Sequence, residues 1–492
     1  MLILILSSGM MAVYVVSDPE LKSAFLLVRV GEMIAEYSAE DIDYDQLIEG
    51  GRRGMVDRLD RYSGYLSRAG FKQVDQETSG HYSGIGITIV RDEGGLLVLA
   101  VRSRGPADLA GMMVGDIIYR VDSQLIAGLP ADRATANLKG EEDTEVSVGV
   151  IRPPDNDTLD LKLIRKEIDY SSIDYVGVSS DSILYVRLTG FDTGLADKLR
   201  DKLETILRTR RSAVQGIVLD LRGNPGGFLQ EAWKTASLFL GKGQFVVGTD
   251  GRSRWQSEVF RSENDDMTAG LPIAILVDKY SASAAEIFTG ALHQAGRATT
   301  VGDTTFGKGL VQSFVRFPDG DGLRLTIARY YLAGGVYLND FDSLLNEIGR
   351  GLPPDHYYQY EAYADLPNVL ERSLLLQRFA STHTDLILDA NTTTDQLINE
   401  FVVFAESDGF EYHSGTADLI GSMLTDTVDY AYGSKIKKSL TGLREIAHQS
   451  DRKEYLIHQD YIARRLKQLA IERTRGIESA YEKIVLVDDP AV

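Results

Sequence analysis

The stretch Gly216–Ala232, GIVLDLRGNPGGFLQEA, contains the change from strand to helix that decides the fold of this chain. It opens on the apolar run GIVL, as expected of a strand that is buried on both faces. The residues Asn224-Pro225-Gly226-Gly227 then predict a turn, after which LQEA begins a helix. Glycine in such a turn lets the chain approach a substrate closely and expose a backbone N–H, although an ordinary connection fits the stretch equally well.

Strand-like and helix-like segments alternate on both sides of this stretch, through residues 166–360. The apolar segments ILYVRLTGF and PIAILVD follow a strand pattern, and GLADKLRDKLETILRTRR follows that of an amphipathic helix. Short apolar strands between amphipathic helices imply a sheet that is covered by those helices. The region is therefore predicted to be an α/β domain with a largely buried sheet.

The regions outside this domain have different patterns. Residues 1–17 are apolar, 18–72 follow a helical period, 73–165 hold β-rich runs punctuated by glycine, and 361–492 are polar and helical. The chain of 492 residues is long enough for about three domains.

Residues 1–17, MLILILSSGMMAVYVVS, predict an export signal or a membrane anchor. The run is shorter than the ~20 residues of a spanning helix and has the length of a signal-peptide core, although no basic residue precedes it. The alternative is an apolar first strand or helix that packs in the core. We therefore expect a protein of the periplasm or cell envelope, exported or anchored to the inner membrane by its N-terminus.

The composition argues against several classes of function. A formal charge of −20 argues against binding nucleic acid, which needs a basic surface, and against a polybasic contact with anionic lipid. Without cysteine the chain cannot form disulfides, thiolate metal sites or a cysteine nucleophile. The seven histidines show no metal-ligand spacing such as H-E-x-x-H, so we expect no metal or other cofactor.

Glycines within residues 73–165 carry a first resemblance. In SGIGI, Gly84 and Gly86 flank Ile85 just ahead of a strand, and GPADLAGMMVGDIIYRVD places further glycines around a short helix. The candidate peptide-binding residues here are Gly84, Ile85, Gly86 and Ile87. Backbone N–H groups at such a turn can bind a peptide carboxylate while the ligand adds a strand to the sheet edge. The unit resembles a PDZ domain, which implies binding of C-terminal peptide tails here; a generic small β-barrel is the alternative.

The segment Lys279–Gly296, KYSASAAEIFTGALHQAG, predicts a helix whose start offers two serines. Ser281 fits a plain N-cap, whereas Ser283 is followed by Ala284, whose small side chain leaves the first N–H groups of the helix accessible. The helix dipole favours an oxyanion at this end by up to about 2 kcal/mol. His293 lies about 15 Å from Ser283 along the axis of the same predicted helix, too far to act as its base.

The segment Val301–Phe317, VGDTTFGKGLVQSFVRF, has the G-x-x-x-x-G-K spacing of a phosphate loop. Gly309 replaces the hydroxyl residue that would hold Mg²⁺, and a strand pattern follows instead of a helix, so a phosphate site is not expected. Burial would instead lower the pKa of Lys308 and make its amine a base able to take a serine proton. Gln312 could hold that amine without adding charge, and a solvated loop lysine is the plain alternative.

Together these motifs resemble the C-terminal processing peptidases, also called tail-specific proteases, from about Ile42 to Tyr358. The match rests on DLRGNPGG, SASAAE and FGKG in this order after the PDZ-like unit. The resemblance implies a Ser–Lys serine endopeptidase. The implied fold is an α/β protease core with an inserted or preceding β-rich PDZ domain, an N-terminal helical segment and a C-terminal helical extension.

The resemblance also implies roles for individual residues. Ser283 matches the family nucleophile, Lys308 the general base and Gln312 the residue that orients this lysine. The N–H groups of Gly226 and Ala284 match the oxyanion hole.

One departure concerns the PDZ-like unit. Family PDZ domains often carry L-R-G, with an arginine that couples peptide binding to the active site, whereas this chain has LKG. Lys139 therefore takes the place of that arginine, or the coupling is made differently.

The expected partners are protein or peptide C-terminal tails, which the PDZ domain binds and the core cleaves, with no nucleic acid. An adaptor protein, a homo-oligomer and an N-terminal membrane anchor are left open by the sequence. Two alternatives remain: a catalytically silent PDZ scaffold, and an assembly protein whose helical extension docks an adaptor.

Overall fold

The fold is known from a computed structural model of the chain. It describes residues 19–71, 74, 81–92, 94–126, 129, 131–169, 172–210, 213–338, 350–426 and 433–489. The predicted signal or anchor at residues 1–17 lies outside the described residues.

The N-terminal region is helical, as its sequence pattern predicts. It forms α1 (Pro19–Tyr37) and α2 (Tyr44–Val56), and the first strand, β1 (Gly64–Leu66), follows. The apolar side chains of α1 face outward, with Phe25 59% exposed. Among the helices within the described ranges, none has the length and apolar character needed to cross a membrane.

A β-rich unit follows β1 and is built on an antiparallel sheet in the order β3-β4-β5-β7-β8, with β6 paired to β5. A separate two-stranded ladder, β2 with β9, lies where the unit begins and ends. The elements are β2 (His81–Gly84), β3 (Ile87–Asp92), β4 (Gly95–Val101), α3 (Pro106–Leu109), β5 (Ile117–Val121), β6 (Gln124–Leu125), α4 (Ala131–Ala136), β7 (Glu145–Arg152), β8 (Asp157–Ile164) and β9 (Lys166–Asp169).

The α/β region that follows contains the predicted sheet, in the order β10-β11-β12-β15-β16-β20. Only β10 runs antiparallel to its neighbour, and the other pairs are parallel. The strands are β10 (Ile173–Val178), β11 (Ile183–Leu188), β12 (Gly216–Asp220), β15 (Ile273–Val277), β16 (Thr299–Gly302) and β20 (His356–Tyr357).

A second, antiparallel sheet completes this region. Its long central strand, β18 (Gly322–Leu332), pairs with β1, β13, β17 and β19. The remaining strands are β13 (Phe245–Gly251), β14 (Val259–Arg261), β17 (Leu310–Arg316) and β19 (Val336–Tyr337). Since β1 precedes the β-rich unit in the chain and pairs with β18 after it, that unit is an insertion into the α/β region.

The central strand β12 shows how the parallel sheet is covered. Every residue of β12 is buried, as the sequence predicts. Its alternate side chains Ile217 and Leu219 join the main core, against α5 (Leu195–Arg210), α6 (Leu229–Ala236) and α7 (Ala284–Gln294). Val218 points to the opposite face, where it packs with Tyr481 from the C-terminal extension. Alternation along a strand therefore gives each face of the sheet its own cover.

The C-terminal extension is helical, as predicted, and has its own core around Leu370, Phe379, Phe401 and Leu466. Its α-helices are α8 (Asp365–Arg372), α9 (Leu375–Thr382), α10 (Thr384–Leu388), α11 (Thr394–Ser407), α12 (Gly415–Asp426), α13 (Gly433–Ile457), α14 (Gln459–Arg475), α15 (Ile477–Ala480) and α16 (Leu486–Asp488). The expected fold class, an α/β core with a β-rich insertion and helical segments at both ends, is confirmed.

Candidate active site

Ser283 is the residue immediately before α7, and its backbone has φ of 55° and ψ of −115°. This conformation is rare for a residue other than glycine, and such strain persists only where the surroundings enforce it. Ser281 is not the N-cap that the sequence suggested. It is fully buried in the preceding loop, where its Oγ donates to Leu221 O at 2.8 Å and accepts from Asp278 N at 3.0 Å.

Glu286 joins the start of α7 to the loop that carries Lys308. Its buried carboxylate accepts hydrogen bonds from Ser283 N, Thr305 Oγ1, Gly307 N and Lys308 N at 2.6–2.8 Å. Burial raises the pKa of Glu286, although these donors act in the opposite direction. One side chain thereby fixes the backbone at both residues that the sequence predicts to be catalytic.

Sequence reasoning gave Glu286 no role, although a usable signal was present. The spacing of Ser283 and Glu286 is that of a capping box, S-x-x-E, in which the glutamate returns to the N-cap backbone. The hydrogen bond from Ser283 N to Glu286 is the half of that motif seen here. No local pattern links Glu286 to Thr305, because that contact depends on the tertiary fold.

The Lys308 amine is partly buried and held by neighbours from distant parts of the chain. Its Nζ donates to Gln312 Oε1 at 3.2 Å and lies 5.0 Å from the centre of the Tyr62 ring. Gln312 Nε2 donates to Tyr62 O at 2.7 Å, so the Gln312 carbonyl is turned toward the amine. The predicted contact between Lys308 and Gln312 is therefore present, and Tyr62 is a neighbour that the sequence did not indicate.

The electrostatic surroundings of Lys308 favour its neutral form. Burial lowers the pKa of Lys308, and the positive charge of Arg324 lowers it further, whereas Glu286 and Asp60 act against the shift. The lysine is thus not the solvated loop residue of the plain alternative. A neutral amine at lower pH is what a general base requires.

Ser283, Ala284, Lys308 and Gln312 line one cavity of about 470 Å³. The fully buried Tyr330 lies beneath them, because its hydroxyl donates to Lys308 O and is 3.2 Å from Ser283 O. Within the described part of the chain, no hydrogen bond joins Ser283 Oγ directly to Lys308 Nζ. The fold therefore brings the predicted pair to the same cavity, with the amine turned to Gln312.

The rest of the cavity wall is largely apolar and aromatic. Apolar side chains approach from four different elements or connections: Phe228, Trp255, Ile287, Leu310 and Phe314. Trp255 is 69% exposed. A concave site that combines apolar side chains with a smaller number of polar groups is typical of a ligand pocket.

The predicted oxyanion donors are placed differently from one another. Ala284 lines the cavity, at the N-terminus of α7. Gly226 is buried beneath Ser283, so closely that an added Cβ would lie 2.8 Å from Ser283 Cβ. Its N–H donates to Asn224 Oδ1 at 2.9 Å and is not free for an oxyanion in this structure, because the Asn224 side chain closes the turn. The next residue, Gly227, lines the cavity instead.

The predicted peptide-binding residues lie in the β-rich unit and do not line this cavity. Gly84, the last residue of β2, is buried, as are Ile85 and Gly86 in the connection to β3, and Gly86 has φ of 78°. Ile87 begins β3, which is an edge strand of its sheet. Lys139 is exposed in the connection after α4.

The described residues contain no group of three or more His, Asp or Glu side chains arranged to hold a metal ion.

Three families match successive parts of the chain. Residues 83–163 match "PDZ domain", residues 182–342 match "Peptidase family S41" and residues 376–492 match "Probable PDZ-protease, C-terminal helical domain". These matches follow the order of the β-rich unit, the α/β region and the helical extension.

Two similar bacterial proteins illustrate the sequence matches. The "Carboxy-terminal processing protease CtpA" of Bacillus subtilis (strain 168) is 29% identical, over 68% of this chain and 69% of that protein. The "Probable CtpA-like serine protease" of Staphylococcus aureus (strain N315) is 33% identical, over 64% of this chain and 60% of that protein. The chain thus spans 60–69% of the length of these two relatives.

Among solved structures, the "Photosystem II D1 C-terminal processing protease" is 26% identical, with a TM-score of 0.39, over 68% of this chain and 86% of that one. The sequence matches carry the assignment. By sequence, the chain therefore contains a region of peptidase family S41, with a PDZ domain before it and a match to the C-terminal helical domain of a probable PDZ-protease after it.

Proposed function

We propose that this protein is an endopeptidase of the C-terminal processing type, with Ser283 as nucleophile and Lys308 as general base. Its PDZ domain binds unstructured protein C-termini, and the core cleaves near them. The observation that carries the proposal is the amine of Lys308, which is partly buried, has a lowered pKa and lies on the same cavity as Ser283.

The reaction begins with removal of the Ser283 proton. Neutral Lys308 takes the proton from Oγ, which attacks the scissile carbonyl carbon, and the ammonium then gives a proton to the leaving amine. Water, deprotonated by the same amine, hydrolyses the acyl-enzyme. Since Nζ now donates to Gln312 Oε1, the amine must turn toward Ser283 when substrate fills the cavity.

The developing oxyanion needs donors beside Ser283. The N–H of Ala284 is at the positive end of the α7 dipole and borders the cavity, which supports its role. On the opposite side, Gly227 borders the cavity. The Gly226 N–H takes part in this hole only if its bond to Asn224 breaks on substrate binding.

The PDZ sheet offers a place for the substrate tail. The strand β3 is hydrogen-bonded to β4 on one side and forms the edge of the sheet on the other. An extended peptide can add to such an edge with its carboxylate at the preceding Gly84–Gly86 segment. Lys139, in the exposed connection after α4, adds a positive charge to the PDZ domain that favours a tail carboxylate.

The test is cleavage of β-casein, an unstructured protein, followed by mass spectrometry. We expect Ser283→Ala and Lys308→Met each to lower the rate about 10³-fold or more, because residues of a catalytic pair act as a unit. Lys242→Met, at an exposed lysine, is the matched control and should keep the wild-type rate. Undiminished cleavage by Ser283→Ala refutes the mechanism, and an inactive wild type favours the silent scaffold.

We also propose an envelope location, supported by the apolar run at residues 1–17. Fractionation of cells that produce the full chain tests this location, and recovery only in the cytoplasm would contradict it.

We further propose that the chain forms an oligomer or an adaptor complex. The outward apolar side chains of α1, such as Phe25, support this proposal. Light scattering of the purified chain, with and without Phe25→Ser, measures that contribution.

A further inference from the structure

The helix α14 contacts both the catalytic domain and the PDZ domain. Near its start, Tyr461, Arg464 and Arg465 line a cavity of about 180 Å³ together with Arg222 of the catalytic domain. At its end, Arg473 reaches the PDZ domain. The helix therefore spans the distance between the two other domains of the chain.

The guanidinium of Arg473 binds two separate turns of the PDZ domain. Nη1 donates to Val114 O, in the turn before β5, and Nη2 donates to Pro153 O at 2.8 Å, after β7. Backbone contact is close here as well, because a Cβ added to Gly115 would lie 2.4 Å from Ser381 Cβ and 2.7 Å from Arg473 Nη1. The turn can pack this tightly only because Gly115 has no side chain.

Burying this guanidinium has an electrostatic cost, which the carboxylate of Asp116 offsets in part. Burial lowers the pKa of Arg473, the buried carboxylate of Asp116 acts against that shift, and Arg152 adds to it. Asp116 already pairs with Arg152, with Nη2 2.7 Å from Oδ2. An arginine of the helical domain thus enters the field of a PDZ carboxylate and is partly desolvated there.

The helical domain is in turn fastened to the catalytic domain. Asp489 Oδ2 lies 2.9 Å from Arg222 Nη2, and the ring of Tyr481 stacks on Tyr175 at 4.9 Å between centroids. Tyr363 donates to Asp278 Oδ2, in the loop that leads to Ser283. These contacts fix the helical domain to the face of the parallel sheet that α5–α7 leave open.

The PDZ domain has only two covalent connections to the catalytic domain, because it is inserted between β1 and β10. The proposed tail-binding strand, β3, is at one edge of the PDZ sheet, and β8 is at the other. The contacts of Arg473 involve neither β3 nor Gly84–Gly86. The hydrogen bonds of Arg473 to Val114 and Pro153 therefore limit the orientation of the PDZ domain without covering its tail-binding edge.

We propose that Arg473 is a positioning residue for tailed substrates: it seats the PDZ domain so that a tail bound along β3 presents its upstream residues to the cavity of Ser283 and Lys308. The inference rests on the proposed function. The LKG sequence leaves open how peptide binding in the PDZ domain is coupled to the active site, and the inference assigns that coupling to the helical domain.

The expected size follows from effective concentration. A tail held by the PDZ domain meets the cavity as an intramolecular partner, and that advantage falls when the geometry between the two sites loosens. Arg473→Gln removes the two-pronged donor and should lower kcat/KM for a tailed substrate about ten-fold, the factor expected when charge-assisted hydrogen bonds are lost.

The experiment compares Arg473→Gln with Arg475→Gln, its matched control at an exposed position of the same helix. One substrate is an unfolded reporter protein with an apolar C-terminal residue, and the other is a short fluorogenic peptide that spans only the cavity. We expect Arg473→Gln to lose rate on the reporter alone, and Arg475→Gln to behave as wild type. Affinity for a fluorescent tail peptide, measured in the Ser283→Ala background, should not change.

A second readout does not depend on activity. Because the chain has no cysteine, Leu125→Cys in the PDZ domain and Val403→Cys in the helical domain allow specific labelling at side chains that are 64% and 61% exposed. The distribution of single-molecule energy-transfer efficiencies between the two labels should be broader in Arg473→Gln than in the parent protein, and unchanged in Arg475→Gln.

Several results would overturn the inference. Equal losses on both substrates would indicate a merely structural residue, and unchanged or faster reporter cleavage would show that seating the PDZ domain does not deliver the tail. An unchanged distribution of energy-transfer efficiencies in Arg473→Gln would show that Arg473 does not restrict the orientation of the PDZ domain. A wild type that cleaves neither substrate instead refutes the proposed function, which separates the two failures.

Discussion

Two buried carboxylates in the catalytic domain are stabilised in opposite ways. Asp220, at the end of β12, is 1% exposed and pairs with Arg187 and Arg222, at 2.9 and 2.6 Å. Glu286, in α7, is 0% exposed and accepts hydrogen bonds from Ser283 N, Thr305 Oγ1, Gly307 N and Lys308 N, none of them on a charged group.

Their pKa values move apart for this reason. Burial alone would raise the pKa of Asp220, but the two guanidinium groups hold it well below its usual range. Burial raises the pKa of Glu286, and neutral donors only partly oppose the rise. The comparison indicates that Asp220 joins β11 to the end of β12 by charge, whereas the hydrogen bonds of Glu286 fix the position of two backbone segments.

The largest effect is expected for Asp220→Asn. Removing one partner of a buried ion pair leaves an uncompensated charge and typically costs about 3–5 kcal/mol. Here both Arg187 and Arg222 lose a carboxylate, while Arg222 retains Asp489 at 2.9 Å. Urea unfolding measures the loss.

Asp197→Asn, which breaks the exposed pair with Arg200, is the control and should change the free energy of unfolding by at most about 1 kcal/mol. Equal effects of the two substitutions would show that the buried pair contributes no more than a surface one.

The next effect is expected for Glu286→Gln. The amide turns N–H groups toward at least one of the backbone donors at Ser283, Gly307 and Lys308, so the start of α7 and the lysine loop must shift. A displacement of about 1 Å in a catalytic group can cost about 100-fold in rate, so kcat should fall by that order.

Steady-state kinetics on β-casein and circular dichroism together test the role of Glu286. Glu263→Gln, at an exposed glutamate, is the control and should match wild type in both measurements. Full activity in Glu286→Gln would contradict a positioning role, and activity lost only in parallel with unfolding would make Glu286 a residue of stability, like Asp220.

The smallest effect is a change in pH dependence. Activity should rise with pH as Lys308 loses its proton, and Arg324 lowers the pKa of Lys308. Arg324→Gln therefore raises this pKa, moves the acid limb of the kcat/KM profile to higher pH and lowers the rate several-fold near neutrality. Arg324→Lys keeps the charge and should keep the wild-type profile. An acid limb that does not move in Arg324→Gln would contradict Lys308 as the titrating base.

Individual residues show why part of the site was predictable. Ser283, Lys308 and Gln312 stand in short motifs with fixed spacing, and the loop of Lys308 returns to α7 through Glu286. Tyr62 and Arg324 were not indicated, because neither stands in a motif with Lys308 and both reach it through the packing of the second sheet. Gly226 was placed by its motif alone, which could not show that Asn224 holds its N–H.

The sequence by itself determined the order of the β-rich, α/β and helical regions, the buried parallel strands and the motifs that hold Ser283, Lys308 and Gln312, because apolar periodicity and glycine-rich turns are local properties. Only the tertiary structure decided where the amine of Lys308 points, which carboxylate fixes the loops of Ser283 and Lys308, and how the helical domain contacts the PDZ domain. Those features depend on contacts between residues such as Arg473 and Val114 that are far apart in the chain, and on burial, which no local pattern contains.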